Sequence, residues 1–529
     1  MPEIFKKNIR RAAENVISFG DTDVFPFSFE NILVRNQKEK FVDLIESISN
    51  DFSKNVDQSP PQFESSLAPA GYNGFRWITQ IDPYWNCYLL SAMIRHAKEI
   101  ENSRISLERN TVHSYRYDMD ETGEELFLKA HNWRSFMVES FERAKSSEYV
   151  IITDISEFYG RVYHHRVENS LERVCNTNLP DNVIELLSRF SLGTSYGLPV
   201  GGPAARIIAE AVINQIDHLL TARGISFCRF VDDFHIFANS QQDAHKAIQQ
   251  LSELLITNQG LSLQKSKTRI MSASEFISTF PKHLIPGQPP ESDRERLFSL
   301  SLNFDPYSPT AHDDYEALKS SLEEIDFLSL LNEELGKSQI HVPTINKLIK
   351  ALKVTKKNIR IQAIKTLMDS ISLLYPVLSF LLIVIASMKK DLDDEELFAV
   401  STKIIDLIEN DSYLMALDVH KCFSIKIIND FKDYRVDTIL TQWLMNGSPM
   451  LKRDTILGFI ARGGWNHLSD FKNRVAGQTP WVRRAMIAAS YGLGDEGKHW
   501  RQAQNFTDFD IFVRDSVSSM DLAKLAEMS

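Results

Sequence analysis

The chain has 529 residues, 43% of them hydrophobic and 24% charged, which is typical of a soluble globular protein with two or three domains. The four cysteines form no CxxC pair, so their spacing excludes a recognisable zinc site or disulfide framework and predicts reduced thiols. The formal net charge of −11 gives no sign of a nucleic-acid binder, although a locally basic channel is all that such a protein needs.

Residues 1–145 are predicted to be mostly helical, with polar loops. The stretch 59–74 is rich in Pro, Ser, Gly and Ala and predicts a loop, whereas 81–100 has the periodicity of a helix. The string TVHSYRY at 111–117 predicts a short strand because it is β-branched and aromatic. The N-terminus lacks a long apolar segment, so we expect no secretory signal and a cytoplasmic location.

Strands and helices alternate between residues 146 and 275. EYVIITDIS at 148–156 predicts a strand that ends in polar residues, and 226–240 predicts two strands joined by an acidic two-residue turn. Amphipathic patterns predict three helices, at 181–190, 204–220 and 244–256. This alternation favours a sheet backed by helices.

From about residue 313 onward the pattern is almost wholly helical. Paired antiparallel helices stacked as a solenoid, an all-α HEAT-like repeat domain, are the natural interpretation of 313–529, with 286–312 as a linker. The loop 303–312 belongs to that linker. The apolar stretch 370–388 is long enough to cross a membrane, but Pro376 divides it and favours two buried helices.

Three aspartates lie where strands are predicted to end. Asp154 ends an apolar strand, while Asp232 and Asp233 lie at the turn of the predicted hairpin. Carboxylates that converge from separate strands are suited to the two divalent ions of nucleotidyl transfer, because Mg²⁺ prefers hard oxygen ligands. The alternative is a pair of solvated turn residues, since Asp favours turns in any case.

Four blocks of sequence resemble, in order, the palm motifs of reverse transcriptases. They are TDISEFY (153–159), GLPVGGPAARIIAE (197–210), CRFVDDFHIF (228–237) and LSLQKSKT (261–268). The resemblance implies an α+β fold with reverse-transcriptase-like fingers within 1–145 and a palm with the polymerase active site at 146–285. The palm would be an antiparallel sheet backed by helices, and a helical domain would take the place of the thumb. Each string is weak alone, and the ordered set is specific.

The resemblance implies that Asp154, Asp232 and Asp233 are catalytic and bind Mg²⁺, with Mn²⁺ as an alternative. Tyr159 falls where these enzymes place an aromatic ring beneath the incoming sugar. Such a ring would clash with a 2′-hydroxyl and so favour dNTPs. A core aromatic is the alternative for Tyr159.

The resemblance also implies a nucleotide-binding set. Pro199, Val200 and Gly201 would line the nucleotide pocket, and Val200 departs from the usual Gln, which puts ordinary template copying in question. Lys267 would meet the leaving pyrophosphate, with a solvated surface lysine as the alternative. Arg116 in HSYRYD (113–118) would bind the triphosphate, with an exposed strand arginine as the alternative.

The palm motifs and the helical tail, including TPWVRRAMIAASYGLGDEGKHW at 479–500, resemble the bacterial abortive-infection (Abi) reverse transcriptases. That resemblance implies template-independent synthesis of single-stranded DNA, primed from a hydroxyl side chain and covalently attached to the protein. It also implies a homo-oligomer with a role in antiphage defence. Two alternatives are an RNA-templated enzyme working with a partner RNA and an inactive-palm scaffold that senses a phage component.

Seven basic residues without an intervening acid lie between 347 and 365, and they are Lys347, Lys350, Lys353, Lys356, Lys357, Arg360 and Lys365. Spacings of three and four place several of them on one side of a helix. The run predicts either a groove that guides single-stranded DNA or an ordinary solvated helix face.

Overall fold

A computed structural model describes residues 4–525 apart from 23–24, 26–27, 122, 176, 192, 286, 288, 301, 303–317 and 523–524. The loop predicted at 303–312 therefore lies outside the described residues. The chain forms two compact units. Unit 1 comprises Met1–Glu64, Ile78–Leu284 and Asn505–Ser519, and unit 2 comprises Ser65–Trp77, Ile285–Gln504 and Met520–Ser529.

Helices dominate both units. Those up to residue 278 are α1 (Lys6–Phe19), α2 (Phe29–Asn36), α3 (Lys38–Asn50), α4 (Phe52–Gln58), α5 (Pro83–Ser103), α6 (Trp133–Ala144), α7 (Phe158–Arg161), α8 (His164–Glu172), α9 (Leu179–Phe190), α10 (Pro203–Ala222), α11 (Gln241–Gln259) and α12 (Ala273–Ser278). Those that follow are α13 (Asp293–Ser299), α14 (Phe327–Leu335), α15 (Val342–Ala351), α16 (Lys357–Asp369), α17 (Leu378–Ser387), α18 (Asp394–Glu409), α19 (Asp418–Ile428), α20 (Tyr434–Asn446), α21 (Pro449–Arg462), α22 (Trp465–Lys472), α23 (Pro480–Ala489), α24 (Gly494–Gln502) and α25 (Asp508–Val517). The strands are β1 (Phe63–Pro69), β2 (Phe75–Ile81), β3 (Tyr149–Asp154), β4 (Ser226–Phe230), β5 (Asp233–Ala238) and β6 (Arg269–Ser272).

A four-stranded antiparallel sheet in the order β4-β5-β3-β6 lies at the centre of unit 1. Ile151 of β3 lies opposite Ile236 of β5, and both side chains are fully buried. Helices α6 and α11 pack against β5, with α11 also on β3 and α6 on β4, so helices bury the apolar strand residues. The predicted antiparallel sheet backed by helices is confirmed.

The last helix, α25, belongs to unit 1. Its Phe509 ring lies 5.0 Å from the ring of Tyr84, and its Phe512 ring lies 5.5 Å from that of Phe41. The amphipathic pattern of these residues resembles that of the preceding helices and predicts that they belong to the helical domain. The structure corrects that assignment, since the choice of a packing partner is not encoded in helical periodicity.

A hairpin, β1–β2, replaces most of the loop predicted at 59–74. Its turn is closed by a hydrogen bond from the Ala70 amide to the Gly74 carbonyl at 2.8 Å, and Gly71 adopts a φ of 89°. The tip is held within unit 2, where the Tyr72 hydroxyl donates to the Leu373 carbonyl at 2.7 Å. The loop prediction was wrong because Gly71 and Gly74 are confined to the turn, while the residues before them are extended in β1.

The prediction of a strand at 111–117 is also wrong. Only isolated bridges form there, between Val112 and Arg229 and between Tyr117 and Phe127. Tyr115 interrupts the extended backbone with a φ of 43°. A left-handed residue in the middle of a strand breaks the ladder, whatever the β propensity of its neighbours.

Helices of unit 2 pack on their next-but-one neighbours. One row runs through α15, α17, α19, α21 and α23, and a second runs through α14, α16 and α18. Two such rows are the arrangement expected of stacked helix pairs. The HEAT-like assignment itself remains a prediction.

The apolar stretch 370–388 forms a short 3₁₀ turn at Tyr375–Val377, followed by α17. Pro376 lies in that turn, as predicted, and Leu378, Leu381 and Leu382 are fully buried. Among the described residues, no helix has the length and apolar character needed to cross a membrane. The stretch is therefore part of the core of unit 2.

The basic run of 347–365 is divided between two helices, α15 and α16. Several of its members have acidic partners: Lys356 pairs with Glu323 at 3.0 Å, and Lys357 pairs with Asp393 at 3.1 Å. Arg360 is buried against Glu396. The prediction of one basic helix side is wrong, because residues 352–356 break the helix and acids from elsewhere in unit 2 meet the run.

All four cysteines are buried and unbonded to one another. Burial raises the pKa of the Cys87, Cys175 and Cys228 thiols to about 12. These side chains are packing residues at neutral pH, in agreement with the predicted reduced thiols.

Candidate active site

The three aspartates meet at one end of the β3–β5 pair. Asp154, the last residue of β3, lies directly opposite Asp233, the first residue of β5. The Ile155 amide donates to the Asp232 carbonyl at 3.1 Å, which ties the end of β3 to the turn before β5. The turn consists of Val231 and Asp232, so Asp233 lies in the strand and not in the predicted acidic turn.

Burial and mutual repulsion shift the titration of these carboxyls. The pKa of Asp232 is raised to about 7, first by burial and then by the charges of Asp154 and Asp233. The pKa of Asp233 is raised to about 6 by burial and by Asp154, against the opposing effect of Lys267. Carboxyls crowded in this way favour a bound cation.

A lysine supplies part of that positive charge. The Lys267 ammonium donates to Asp154 Oδ2, and this hydrogen bond is the main reason that the pKa of Lys267 is raised. The Gln264 amide donates to the Asp154 carbonyl at 2.7 Å, so the segment before β6 is attached to the end of β3. The predicted Lys267 is thus brought to the three aspartates.

The donor atoms fit a divalent cation in their chemistry. The Oδ1 atom of Asp154 is buried and receives no hydrogen bond from the described residues, and all the side-chain donors are hard carboxylate oxygens. A ready-made cluster of three or more His, Cys, Asp or Glu side chains in coordinating positions is absent from the described part of the chain. In this arrangement the ammonium of Lys267 already occupies one oxygen of Asp154.

Tyr159 lies close enough to the three aspartates for the charge of Asp232 to affect the pKa of the phenol. Burial raises the pKa of Tyr159 well above its usual value, and Tyr115, Glu210 and Asp232 act in the same direction. The Leu198 amide donates to the Tyr159 carbonyl at 2.7 Å, which attaches the glycine-rich loop to the segment after β3.

The predicted pocket residues Pro199, Val200 and Gly201 lie in that loop, directly before α10. Gly201 has a φ of 104°, a conformation that other residues rarely adopt. His164 supports the loop from the other side, because its Nε2 lies 2.9 Å from the Gly197 carbonyl. The loop is therefore held beside Tyr159, and the contacts of the three pocket residues with a nucleotide stay a prediction.

Arg116 lies in a different environment from the exposed strand position considered for it. Its side chain is 2% exposed, pairs with Glu101 at 2.5 Å and donates to the Ile105 carbonyl at 2.9 Å. Burial, followed by the charge of Arg104, lowers the pKa of Arg116 to about 10. A triphosphate-binding role for Arg116 stays a prediction, and it would require this buried ion pair to open.

Sequence reasoning missed a buried charge network behind the turn. Arg229 is fully buried between Glu210 and Asp217, at 2.9 and 2.6 Å. Arg104 also binds Glu210, at 2.6 Å. The available signal was the pair of acids seven residues apart on the apolar face of a helix, a spacing that places both on one side.

Residues 89–328 match the protein family described as "Reverse transcriptase (RNA-dependent DNA polymerase)". The matched region contains the three aspartates and Lys267. A nucleotidyltransferase of the polymerase class is the enzyme that this domain defines. The chain contains a reverse transcriptase domain, and the predicted resemblance to reverse transcriptases is confirmed.

Several solved telomerase structures also resemble the chain. Apo telomerase from Candida tropicalis matches at 14% identity and a TM-score of 0.31, covering 67% of this chain and 69% of that one. Telomerase from Candida albicans, in complex with the TWJ fragment of telomeric RNA, matches at 12% identity and a TM-score of 0.30, covering 71% of this chain and 68% of that one. No curated protein matches the sequence.

Proposed function

We propose that this protein is a DNA polymerase that joins deoxynucleotides at Asp154, Asp232 and Asp233. The observation that carries the proposal is the register that sets Asp154 opposite Asp233, with Asp232 in the adjoining turn. Burial, followed by repulsion between the carboxyls, raises the pKa values of Asp232 and Asp233 there. Such a site is costly to build unless cations are used in it.

Asp154, Asp232 and Asp233 would hold Mg²⁺, or Mn²⁺ in its place. Two such ions would supply activation of the attacking 3′ oxygen and stabilisation of the pyrophosphate that leaves when the α–β bond of the triphosphate breaks. Lys267 would release Asp154 and turn to the departing pyrophosphate, since a lysine side chain can rotate between two neighbouring anions. Tyr159 would exclude a 2′-hydroxyl, while Val200 and its neighbours would contact the base and sugar.

The finer proposal follows the Abi resemblance. The protein would synthesise single-stranded DNA without a template, attach it covalently to one of its own hydroxyl side chains, and act as a homo-oligomer in antiphage defence in the cytoplasm. Val200, in place of an amide that usually touches substrate, supports this departure from ordinary copying. The HEAT-like helical domain would guide the product and assist assembly.

Nuclease treatment of the purified protein, followed by intact-mass measurement, tests this proposal. A protein-primed enzyme should carry extra mass in nucleotide steps that nuclease shortens but does not remove. An Asp232→Ala variant purified in parallel should have the mass of the bare chain. If the wild type, like the variant, had only the mass of its own bare chain, protein priming would be rejected.

A second candidate is RNA-templated synthesis with a partner RNA, which the matched family's description favours. Sequencing of the product separates the two. A product complementary to one co-purified RNA, lost after ribonuclease treatment, would support templated synthesis. A product of irregular sequence that is insensitive to ribonuclease would support the template-independent enzyme.

A further inference from the structure

The turn that carries Asp232 contains a strained residue. Val231 is buried and adopts a φ of 58°, in the left-handed region. A β-branched side chain at positive φ is a conformational outlier, and it persists only when its surroundings hold it there. Something in the fold must therefore keep the backbone of Val231 in this conformation.

The side chain of Arg229 holds that backbone. Its Nη1 donates to the Val231 carbonyl at 2.8 Å, two residues along the chain. The same guanidinium is fixed by the Asp217 carboxylate, through Nε at 2.8 Å and Nη2 at 2.6 Å. It also donates to Glu210 from Nη2 at 2.9 Å. A planar fork that binds three acceptors at once has little freedom to move.

The acceptors are themselves anchored. Glu210 and Asp217 both lie on α10, and each is 1% exposed. Arg104 and the Ser114 hydroxyl donate to Glu210 at 2.6 and 2.5 Å. The buried guanidinium of Arg229 thus ties the Val231 carbonyl to two buried carboxylates of α10.

We propose that Arg229 is a positioning residue for the active site: by clamping the Val231 carbonyl to α10, it sets where the Asp232 carboxylate lies. The inference rests on the proposed nucleotidyl transfer. A lysine keeps the charge of Arg229 but offers one nitrogen, which cannot reach Glu210, Asp217 and Val231 together. The carboxylate of Asp232 would then be displaced without the loss of any group that touches substrate.

The test compares Arg229→Lys with Arg104→Lys, a matched control that also binds Glu210 but does not contact Val231. Because a displacement of about 1 Å can cost about 100-fold in rate, Arg229→Lys should lower kcat about 100-fold with little change in the KM for dNTP. It should also weaken Mn²⁺ binding, measured by electron paramagnetic resonance without nucleotide. Arg104→Lys leaves the contact between Arg229 and Val231 in place, so it should lower kcat and Mn²⁺ affinity far less than Arg229→Lys does.

A rescue experiment separates positioning from general destabilisation. Glycine adopts positive φ readily, so Val231→Gly removes the need for the clamp. In that background Arg229→Lys should cost only about 10-fold in kcat, because the turn no longer depends on the guanidinium. An equal loss in both backgrounds would overturn the proposal, as would an Arg229→Lys enzyme with wild-type kcat and Mn²⁺ affinity.

Two other outcomes of the experiment also test the proposal. If Arg229→Lys does not fold, Asp217→Asn loosens the same fork, and equal losses with and without Val231→Gly would again overturn the proposal. If the wild type incorporates no nucleotide, the proposed function fails. The Mn²⁺ affinities alone then decide the positioning role. Weaker Mn²⁺ binding by Arg229→Lys than by wild type supports it, and equal Mn²⁺ affinities refute it.

Discussion

Asp232→Asn should stabilise the protein in the absence of metal while destroying its active site. The folded state raises the pKa of Asp232 from 3.8 to about 7. At a pH above 7 the carboxylate is ionised in both folded and unfolded chains, and the folded chain bears the cost of that charge. The asparagine has no charge to bury or to repel Asp154 and Asp233.

The size of the effect follows from the shift in pKa. Each pKa unit corresponds to about 1.4 kcal/mol, so the full shift is an upper bound of about 4 kcal/mol. Asp232 keeps part of its surface in water, and screening reduces the gain to about 1–2 kcal/mol. For a unit of this size that is roughly 2–6 °C in the melting temperature.

The pH dependence provides the sharper test. A protonated Asp232 stabilises the folded state below about pH 4, and that stability is lost as the pH rises through about 7. The advantage of Asp232→Asn should therefore be full at pH 8 and much smaller at pH 5. Melting curves in EDTA at both pH values measure it, with Glu253→Gln on the exposed face of α11 as the control.

Added Mg²⁺ should reverse the order. An ion that binds only the folded state stabilises it by mass action, and wild type has the carboxylate that the variant lacks. Wild type should gain more in melting temperature than Asp232→Asn. The reasoning would be refuted if the variant melted no higher than wild type at pH 8 in EDTA, or if its advantage were the same at both pH values.

Three other predictions concern chemistry and product handling. Asp154→Ala should abolish nucleotide incorporation, because it removes one of the three carboxylates. Circular dichroism should show an intact fold, because one of several repelling charges is lost. Normal incorporation would show that Asp154 is not part of the site. Tyr159→Ala should lower the preference for dNTPs over NTPs, measured as a ratio of kcat/KM, and an unchanged ratio would show that its ring does not exclude the 2′-hydroxyl. The double change of Lys350 and Lys353 to Glu should shorten the product and flatten its salt dependence, because fewer counterions are released. A change of Lys432 to Glu is the control. Products of equal length and salt dependence from the two variants would show that Lys350 and Lys353 are ordinary solvated residues.

The elements that sequence predicted well are those whose signal is local. The apolar run at 148–156 became β3, and the apolar segments on either side of the aspartates became β4 and β5, all three buried along most of their length. Helices such as α18 (Asp394–Glu409) lie where the pattern beyond residue 313 predicted helices, and the buried residues of α18 recur at helical spacing.

The errors arise where distant contacts override local preference. Val231 has a strand former's side chain, so sequence put it in β4, while the buried Arg229 draws its carbonyl into the turn. The alternative of an exposed strand arginine is wrong for Arg116, because Glu101 pairs with it in the core. Lys356 and Lys357 form ion pairs with acids that lie more than 30 residues away in the sequence, Glu323 and Asp393. None of these partners is indicated by spacing.

The proposal that Asp154, Asp232 and Asp233 perform nucleotidyl transfer is tested most directly by incorporation of radiolabelled dNTPs with Mg²⁺. Wild type and Glu253→Gln should both incorporate label, and EDTA should stop them. Asp232→Asn should show only background incorporation, although it melts at a higher temperature than wild type in EDTA. Incorporation by Asp232→Asn at the wild-type rate would contradict the account.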